Sequence, residues 1–372
     1  MADAMTTAVQ ARKRRTPTSV IPVDGMSAVS DADPADVARR SSLQYVTDTD
    51  PGYSRHRRAA GFTYRDQHNR VIRDRKNIER IAKLAIPPAW SHVWIARQTN
   101  GHIQATGRDA KGRKQYRYHA RWQTVRSEHK FDRMIQFGNS LPTIRARVMA
   151  DLERNDLSRE HVLAIVVRLL ETTRIRIGNE EYARTNHSFG LTTLRNRHVH
   201  FSGETLRFQF IGKMGKAHSV RVNDRRLARL VRRCRELPGQ SLFQYHGDDG
   251  AVRSVDSSNV NDYINAIAGE SFSAKDFRTW AGSLLAATQL SGQRDTDGAP
   301  AARLTLALKA VASQLGNTPA VCRSGYVHPR ILQAYHDPGV EEKWKQALSH
   351  SRSSKGLSRD ENALLGFLRS SA

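Results

Sequence analysis

The apolar positions divide the chain into a first part that favours strands and a second part that favours helices. In the first part, Phe62-Thr63-Tyr64 has the pattern of a short strand, and an alternating run over 93–99 leads through Asn100-Gly101 into a second run over 102–106. Asn-Gly between two alternating runs is typical of a hairpin with a type I′ turn. A short helix is expected over 76–84, because its apolar residues share one face and two prolines follow.

Apolar residues at helical spacing dominate after about Glu128. In residues 224–235 the apolar side chains recur every three or four positions, and arginines fill the opposite face. A hairpin with its turn at Ser202-Gly203-Glu204 interrupts the helices. The expected elements are helices over residues 162–170, 224–235, 303–315 and 330–336, and strands over 199–201, 206–210 and 218–222.

These patterns predict an α+β chain, with a small β-rich N-terminal domain and a larger, mainly α domain that contains a small antiparallel sheet. Residues 1–42 are rich in Ala, Thr, Ser, Pro and Asp without periodicity, so we expect a disordered tail there. The β-rich domain then covers residues 43–124 and the mainly α domain residues 127–365, with the boundary near 123–128.

Charge is the strongest compositional signal. The 372 residues contain 60 Lys and Arg against 36 Asp and Glu, a formal net charge of +24. Such an excess favours a polyanionic partner, with nucleic acid as the usual one, although a solvated basic surface or a ribosome-type scaffold would also produce it. Cys234 and Cys322 lie far apart, which argues against a disulfide framework or a structural zinc site and fits a reducing, intracellular setting. No apolar run reaches the ~18 residues of a membrane span.

A basic segment interleaved with aromatic residues closes the β-rich part. In a strand, Tyr116 and Tyr118 would point to the same side. Aromatic rings among cations suit contacts to phosphates and bases, but both rings could instead pack in the core. The segment contains Lys111, Arg113, Lys114, Gln115, Tyr116 and Tyr118.

Two cations in the helical part are candidates for chemistry. Arg176 stands between two isoleucines, so its guanidinium should be partly buried and need an anion, either a substrate phosphate or Glu180. Gly212 and Gly215 predict a flexible hairpin tip that presents Lys213, either as a mobile general acid or as a solvated turn lysine. The glycine spacing is not that of a phosphate-binding P-loop.

Two further segments complete the candidates. Arg278 follows Lys275-Asp276-Phe277 at a predicted helix start, and Tyr326 follows the polar segment Gly316-Asn317-Thr318-Pro319 and precedes a helix. A single tyrosine or arginine carries little information, so none of these positions identifies a function by itself.

Taken in order, the motifs resemble those of the short type IB DNA topoisomerases of bacteria and poxviruses, and more distantly those of the tyrosine recombinases. The resemblance covers roughly residues 43–350. It rests on Lys-Gly-Arg-Lys-Gln-Tyr-x-Tyr, Arg-Ile-Gly, Gly-Lys in a hairpin, Lys-Asp-x-Arg-Thr, and Gly-x-Thr-Pro with a tyrosine nine residues after Asn317.

The resemblance implies a role for each position. Tyr326 would be the nucleophile that forms a 3′-phosphotyrosyl link, Arg176 and Arg278 would brace the transition state, and Lys213 would protonate the leaving 5′-oxygen. Many members have a histidine where this chain has Asn317, whose neutral amide can still donate a hydrogen bond to a phosphate oxygen. The implied DNA contacts are Lys111, Arg113, Lys114, Gln115, Tyr116, Tyr118 and Tyr182.

The same resemblance implies a monomeric enzyme that relaxes supercoiled double-stranded DNA without metal, ATP or another cofactor, in the cytoplasm and associated with the nucleoid. The N-terminal domain would be a DNA clamp and the mainly α domain the catalytic one. A tyrosine recombinase is the nearest alternative, although its N-terminal domain is usually helical. A catalytically silent DNA-binding protein is another, and a metal-dependent nuclease is disfavoured because the sequence has no clustered carboxylate motif.

Overall fold

In the computed structural model, the described residues are 34–110, 112–292 and 299–370, without the side chains of residues 126–129. They divide into two compact units, residues 34–124 and residues 125–370. Strands dominate the first unit and helices the second, so the predicted α+β class is confirmed.

The first unit is built on an antiparallel sheet. Its elements are α1 (Pro34–Arg40), β1 (Gly52–Arg58), β2 (Gly61–Arg65), α2 (Arg75–Lys83), β3 (Ser91–Ala96), β4 (Ile103–Arg108) and β5 (Lys114–Tyr118). Over residues 34–110 and 112–124, the strands form a five-stranded sheet in the order β2-β1-β3-β4-β5. Ile81 of α2 packs on Trp90, Val93, Ile95 and Ala105, which explains the predicted apolar face of that helix.

The expectation of a disordered tail up to residue 42 is wrong for residues 34–42. Helix α1 occupies Pro34–Arg40 and buries Val37 and Ala38, because these two small apolar side chains pack inward. Leu43 is buried too, and its backbone N–H donates to the carbonyl of Ala38 at 2.8 Å. The rest of the predicted tail, residues 1–33, lies outside the described residues.

The hairpin between β3 and β4 forms as predicted, but its type I′ turn does not. Neither Asn100 nor Gly101 has the positive φ that this turn requires, and the strands are joined through residues 97–102. Tertiary contacts select the longer loop: the side-chain amide of Gln104 donates to the carbonyls of three loop residues, and Gln44 pairs with Gly101.

Helices make up most of the second unit. The helices are α3 (Ala120–Asp151), α4 (Arg159–Thr173), α5 (Glu180–Asn186), α6 (Arg225–Glu236), α7 (Ser257–Ala268), α8 (Ala274–Gly292), α9 (Pro300–Leu315), α10 (Pro319–Gly325), α11 (Pro329–Ala334), α12 (Pro338–His350) and α13 (Arg359–Arg369). The strands are β6 (Val199–Ser202), β7 (Thr205–Ile211), β8 (Ala217–Val222), β9 (Gln244–His246) and β10 (Val252–Ser254). The predicted helices and strands of this region are all present, and helix formation begins at Ala120, earlier than the expected position near Glu128.

Helix α4 lies in the centre of the second unit. Its residues 161–167 are buried on every side, which is why this segment reads as a continuous apolar run rather than an amphipathic one. Around it pack α6, α7, α8 and the sheet β6-β7-β8. No helix in the described part of the chain is long and apolar enough to cross a membrane.

An ion-pair network ties α8 to its neighbours. Arg145 of α3 binds Glu171 at 2.6 Å and Glu361 at 2.7 Å, and the indole N–H of Trp280 donates to Glu361 at 3.1 Å. Because the side chain of Glu361 is only 7% exposed, these charges satisfy one another inside the protein. The network fixes Trp280 of α8, which lies two residues from both Arg278 and Gly282.

Candidate active site

Tyr326 follows the last residue of α10 and is held through its backbone. Its N–H donates to the carbonyl of Cys322 at 3.0 Å, and its own carbonyl accepts from the Ser283 hydroxyl of α8 at 3.1 Å. A Cβ at residue 282 would lie 2.7 Å from that carbonyl oxygen, so Gly282 is needed for the close approach. The sequence placed Tyr326 after a polar loop; in the structure, the short helix α10 lies between that loop and the tyrosine.

Arg278 is buried beside the tyrosine ring, with 4% of its surface exposed. Its guanidinium donates to the carbonyl of Arg174, at the C-terminal end of α4, and to that of Leu315, the last residue of α9, at 2.7 Å for the latter. Carbonyls at helix C-termini are unpaired in the helix and favour a cation. These contacts leave the guanidinium carbon 5.3 Å from the centre of the Tyr326 ring.

Arg176 lies in the segment between α4 and α5, whose path depends on two glycines. Gly178 has φ +106°, and a Cβ at Gly190 would lie 2.6 Å from the carbonyl oxygen of Arg176. The Arg176 guanidinium donates to the side-chain oxygen of Asn317. Glu180, the predicted alternative partner, is exposed and forms no ion pair with Arg176 among the described residues.

Asn317 is therefore oriented by Arg176. Because a guanidinium can only donate, the amide oxygen must face it and the NH₂ group must point away. That nitrogen is buried and has no hydrogen-bond partner within the described part of the chain. An unpaired buried donor is unfavourable unless a ligand completes it, and a phosphate oxygen is an acceptor of the right kind.

Lys213 begins a short 3₁₀ turn at the tip of the β7–β8 hairpin, where Met214 has φ +63° and is 87% exposed. A cleft of about 200 Å³ is lined by Lys213, Arg176 and Arg278 together with Gly316. Arg176 and Arg278 are 102 positions apart in the sequence, and both border one cleft with Lys213. A larger, open depression of about 410 Å³ lies on the sheet β6-β7-β8 and contains none of them.

The local charges change the acidity of the nucleophile candidate. Burial by itself raises the pKa of Tyr326, but the charges of Arg278 and Arg176 outweigh it, and the net pKa lies below the ordinary tyrosine value. A lower pKa increases the population of the phenolate, the reactive form of the side chain.

Two residues near this cluster carry no signal in the sequence. Lys130 of α3 donates to the carbonyl of Gly325, and its ammonium lies 5.6 Å from the centre of the Tyr326 ring. His218 of β8 stacks on Phe210 at 5.0 Å, and its ring borders the Gly316 turn so closely that a Cβ there would lie 2.6 Å from it. Burial and the nearby arginines lower the pKa of His218, so the ring is neutral at neutral pH.

His328 lies two residues after Tyr326 in the chain. In the structure its ring nitrogen accepts from the backbone N–H of Arg330, which caps α11, and its ring packs edge-on against Phe131. Burial lowers the pKa of His328 to about 4, so it carries no charge at neutral pH. His328 is a structural residue here, whereas His218 is the histidine that lines the cleft.

The remaining predicted contact residues fall into two groups. Tyr182 lies in the first turn of α5, where its backbone N–H donates to the Asn179 side chain at 3.1 Å, six residues after Arg176. In the first unit, Tyr116 and Tyr118 stack at 5.7 Å on one side of β5, as the strand alternation predicted. Lys111 lies outside the described residues.

Three basic or polar side chains of the β5 region have partners inside their own unit. Lys114 pairs with Asp48 at 2.7 Å and Arg113 with Asp109 at 2.6 Å. Gln115 is 8% exposed and donates to Asp109 at 3.1 Å. Gln115 thus orders the turn before β5, while Arg113 and Lys114 keep substantial exposure.

Comparison with known proteins adds an independent finding. The catalytic core of eukaryotic DNA topoisomerase I matches residues 119–352, and the N-terminal domain of bacterial DNA topoisomerase IB matches residues 61–109. The chain is 34% identical over 272 residues to DNA topoisomerase 1B of Acanthamoeba polyphaga mimivirus, which covers 70% of this chain and 81% of that protein. It is 22% identical over 289 residues to DNA topoisomerase 1B of vaccinia virus strain Copenhagen, covering 74% and 87%. The match to the catalytic core of eukaryotic DNA topoisomerase I spans the positions of Arg176, Lys213, Arg278, Asn317 and Tyr326.

Proposed function

The chain belongs to the type IB DNA topoisomerases, and from that premise we propose that it relaxes supercoiled duplex DNA through a transient bond between Tyr326 and a 3′-phosphate. The observation that carries this assignment of the nucleophile is the position of Tyr326 beside Arg278 and within the electrostatic influence of Arg176. Arg176 in turn binds the side chain of Asn317. Two guanidinium groups beside one phenol are suited to a pentacovalent phosphorus transition state, which concentrates negative charge on oxygen.

In the cleavage step, the phenolic oxygen of Tyr326 attacks the phosphorus and its proton passes to solvent. The new Tyr–O–P bond replaces the bond between phosphorus and the 5′-oxygen, so the number of phosphoester bonds is unchanged. The lowered pKa of Tyr326 eases loss of the phenol proton. Because the bond energy is retained in the phosphotyrosyl link, religation by the 5′-hydroxyl requires no ATP.

Three donors would stabilise the non-bridging oxygens. Arg278 is held rigid by two backbone carbonyls, so little reorganisation is needed when charge develops. Arg176 orients Asn317, and the free amide nitrogen of Asn317 supplies a neutral hydrogen bond. These donors take the role that a metal ion has in other phosphoryl-transfer enzymes, and we therefore propose a metal-independent reaction.

Lys213 is the proposed general acid for the leaving 5′-oxygen. An alkoxide is a poor leaving group, so proton donation at this atom accelerates cleavage, and the same group accepts the proton back during religation. Its position at a glycine-flanked hairpin tip supports this role, because the tip can adjust to the bound duplex.

The proposed DNA contacts outside the cleft are Tyr116 and Tyr118 with the exposed Arg113 and Lys114, and Tyr182 beside the catalytic segment. Cations would contact phosphates, and the tyrosine hydroxyls can donate to them. The same reasoning makes Lys111 a contact, and gives Gln115 the supporting role of ordering the turn. We further propose that the enzyme acts as a monomer in the cytoplasm, associated with the nucleoid.

A plasmid relaxation assay in EDTA without ATP tests the function. Wild-type protein should relax the plasmid, and Tyr326→Phe should not. Tyr335→Phe is a matched control, because it also removes a tyrosine hydroxyl, in this case a buried one that donates to the carbonyl of Ala286 at 2.7 Å. Detergent quenching should trap the wild-type protein on the 3′ side of a nick. Relaxation by Tyr326→Phe, or none by wild type, would contradict the proposal; strand exchange between duplexes would instead indicate a recombinase, and binding without cleavage a silent DNA-binding protein.

A further inference from the structure

Lys130 lies against the nucleophile although it is almost two hundred positions away in the chain. It is in the N-terminal half of α3, partly buried, and its ammonium donates a hydrogen bond to the carbonyl of Gly325. The same nitrogen lies 4.6 Å from the ring centre of Phe131 and 5.6 Å from that of Tyr326. The contact therefore joins α3 to the residue that immediately precedes the nucleophile.

Tyr326 is thereby held on both sides of its Cα atom. Lys130 binds the carbonyl of the peptide before it, and Ser283 binds the carbonyl of the peptide after it at 3.1 Å. Fixing both peptide planes fixes φ and ψ, and these in turn set the direction of the Cα–Cβ bond and of the phenol. Gly325 has no side chain and nothing within 4 Å of a Cβ position, so its own packing contributes little to this restraint.

This position is an unfavourable one for a lysine. Burial, together with the charge of Lys275, lowers the pKa of Lys130 to about 7, and Asp276 only partly offsets it. A side chain kept for packing alone would be better apolar. Retention of a destabilised cation beside a reacting group is typical of a functional position.

We propose that Lys130 is a positioning residue for the nucleophile: its ammonium group holds the Gly325–Tyr326 peptide and the Tyr326 ring in the orientation that attacks the phosphorus. This inference rests on the proposed function of Tyr326. The role differs from that of Lys213. Lys130 acts on the residue that carries the attacking oxygen, whereas Lys213 acts on the leaving 5′-oxygen. The charged or titratable groups that face Lys130 are Lys275 and Asp276 of α8, Tyr326, and His328 before α11.

The test compares Lys130→Met, Lys130→Arg and Lys343→Met in the full-length chain. Lys343 is exposed on α12 and serves as the matched control. The assay uses enzyme in excess over a substrate whose short 5′-hydroxyl strand dissociates after cleavage. Lys130→Met should form the covalent adduct between about 10-fold and 100-fold more slowly than wild type, because a small misplacement of a reacting group has an effect of this size. Lys130→Arg should recover most of the rate, since it keeps the donor and the charge. DNA affinity should be unchanged in all three.

A substrate with sulfur in place of the bridging 5′-oxygen separates the two lysines. A thiolate leaves without needing a proton, because thiols have pKa values near 8.5. Lys213→Ala should therefore regain its rate on this substrate, whereas Lys130→Met should keep its defect. The melting temperature gives a further readout: because the pKa of Lys130 is depressed in the folded state, its penalty is fully present below about pH 7, and Lys130→Met should be as stable as wild type or more so there.

Each outcome decides the inference. Slow adduct formation on both substrates, with rescue by arginine and no loss of stability, supports the positioning role. Wild-type rates in Lys130→Met, recovery on the sulfur substrate, or a fall in melting temperature without rescue by arginine would each overturn it. If wild-type protein forms no adduct, the proposed function fails. If wild-type protein and Lys130→Met form the adduct at the same rate, the proposed function stands and only the role of Lys130 fails.

Discussion

Asn317→Asp separates two roles of the Asn317 side chain that the structure indicates. The substitution keeps the shape of the side chain and the oxygen that accepts from Arg176. It replaces the buried, unpaired NH₂ group by a second carboxylate oxygen. The interaction within the protein is therefore retained or strengthened, while the donor proposed for the phosphate is lost and an anion takes its place.

The magnitude follows from two contributions. Loss of a hydrogen bond to a charged acceptor costs about 1.5–3 kcal/mol. A carboxylate at about 4 Å from the phosphoryl charge adds a repulsion of about 4 kcal/mol at an effective dielectric constant of about 20, part of which the Arg176 charge cancels. A net increase of about 3–4 kcal/mol in the cleavage barrier corresponds to a rate between about 100-fold and 1000-fold lower. Asn317→Ala, which loses the donor without adding charge, should be slowed by about 10-fold to 100-fold.

Adduct formation with enzyme in excess, together with equilibrium DNA binding, measures these effects separately. Asn139→Asp is the control, because Asn139 also accepts a hydrogen bond from an arginine, Arg369, but on the surface. It should cleave at the wild-type rate. If Asn317→Asp cleaves within about threefold of wild type, the amide does not contact the phosphate in the transition state and the reasoning from the unpaired nitrogen is refuted.

Three other substitutions test the surroundings of the site. Arg278→Lys should slow cleavage by about 100-fold, since an ammonium group cannot bridge the two carbonyls and still reach the phosphate; cleavage within threefold of wild type would contradict this. Gly282→Ala should lower adduct formation more than DNA affinity, because the new Cβ would push on the carbonyl of Tyr326; equal losses of both would argue against it. Glu361→Gln should lower the free energy of unfolding at pH 7 by about 2–3 kcal/mol, as it leaves Arg145 without one of its buried partners. Burial by itself raises the pKa of Glu361, but its hydrogen bonds and the charge of Arg145 outweigh this effect, and the net pKa is lowered. The stabilisation by the Glu361 carboxylate is therefore present above the unfolded-state pKa and is lost as the pH falls through the folded-state pKa. Urea titrations should show wild type and Glu361→Gln converging in stability at acid pH.

Local patterns were sufficient for most of the secondary structure. Helix α6 was predicted because its apolar side chains recur at helical spacing, and Asp224 caps it in the structure. The strands β6, β7 and β8 were predicted from alternation and a glycine turn. The predicted tail failed at residues 34–42, and the Asn-Gly turn failed too, because packing of Val37 and hydrogen bonds from Gln104 are contacts that local patterns do not encode.

For the site, the sequence supplied the candidates but not their arrangement. Arg176, Lys213, Arg278, Asn317 and Tyr326 could be selected only through the order and spacing of their motifs, since each is unremarkable as a residue type at its position. The contact between Arg176 and Asn317, the neutral His218 at the Gly316 turn and the approach of Lys130 to Gly325 had no local signature. These depend on segments that are distant in the chain and meet only in the folded second unit.

The sequence by itself determined the α+β class, favoured a polyanionic partner and supplied the candidate residues for phosphoryl transfer, because periodicity, net charge and the order of motifs are properties of the chain. The tertiary structure decided which cations surround Tyr326 and how its backbone is held. Three contacts hold the site together: the helix ends that bind Arg278, the close approach of Tyr326 to Gly282 of α8, and the bond from Lys130 of α3 to Gly325. Each joins segments that are remote in the chain over a few ångströms. Such distances set the pKa and the orientation of a side chain, and only the packing of the helices around α4 fixes them.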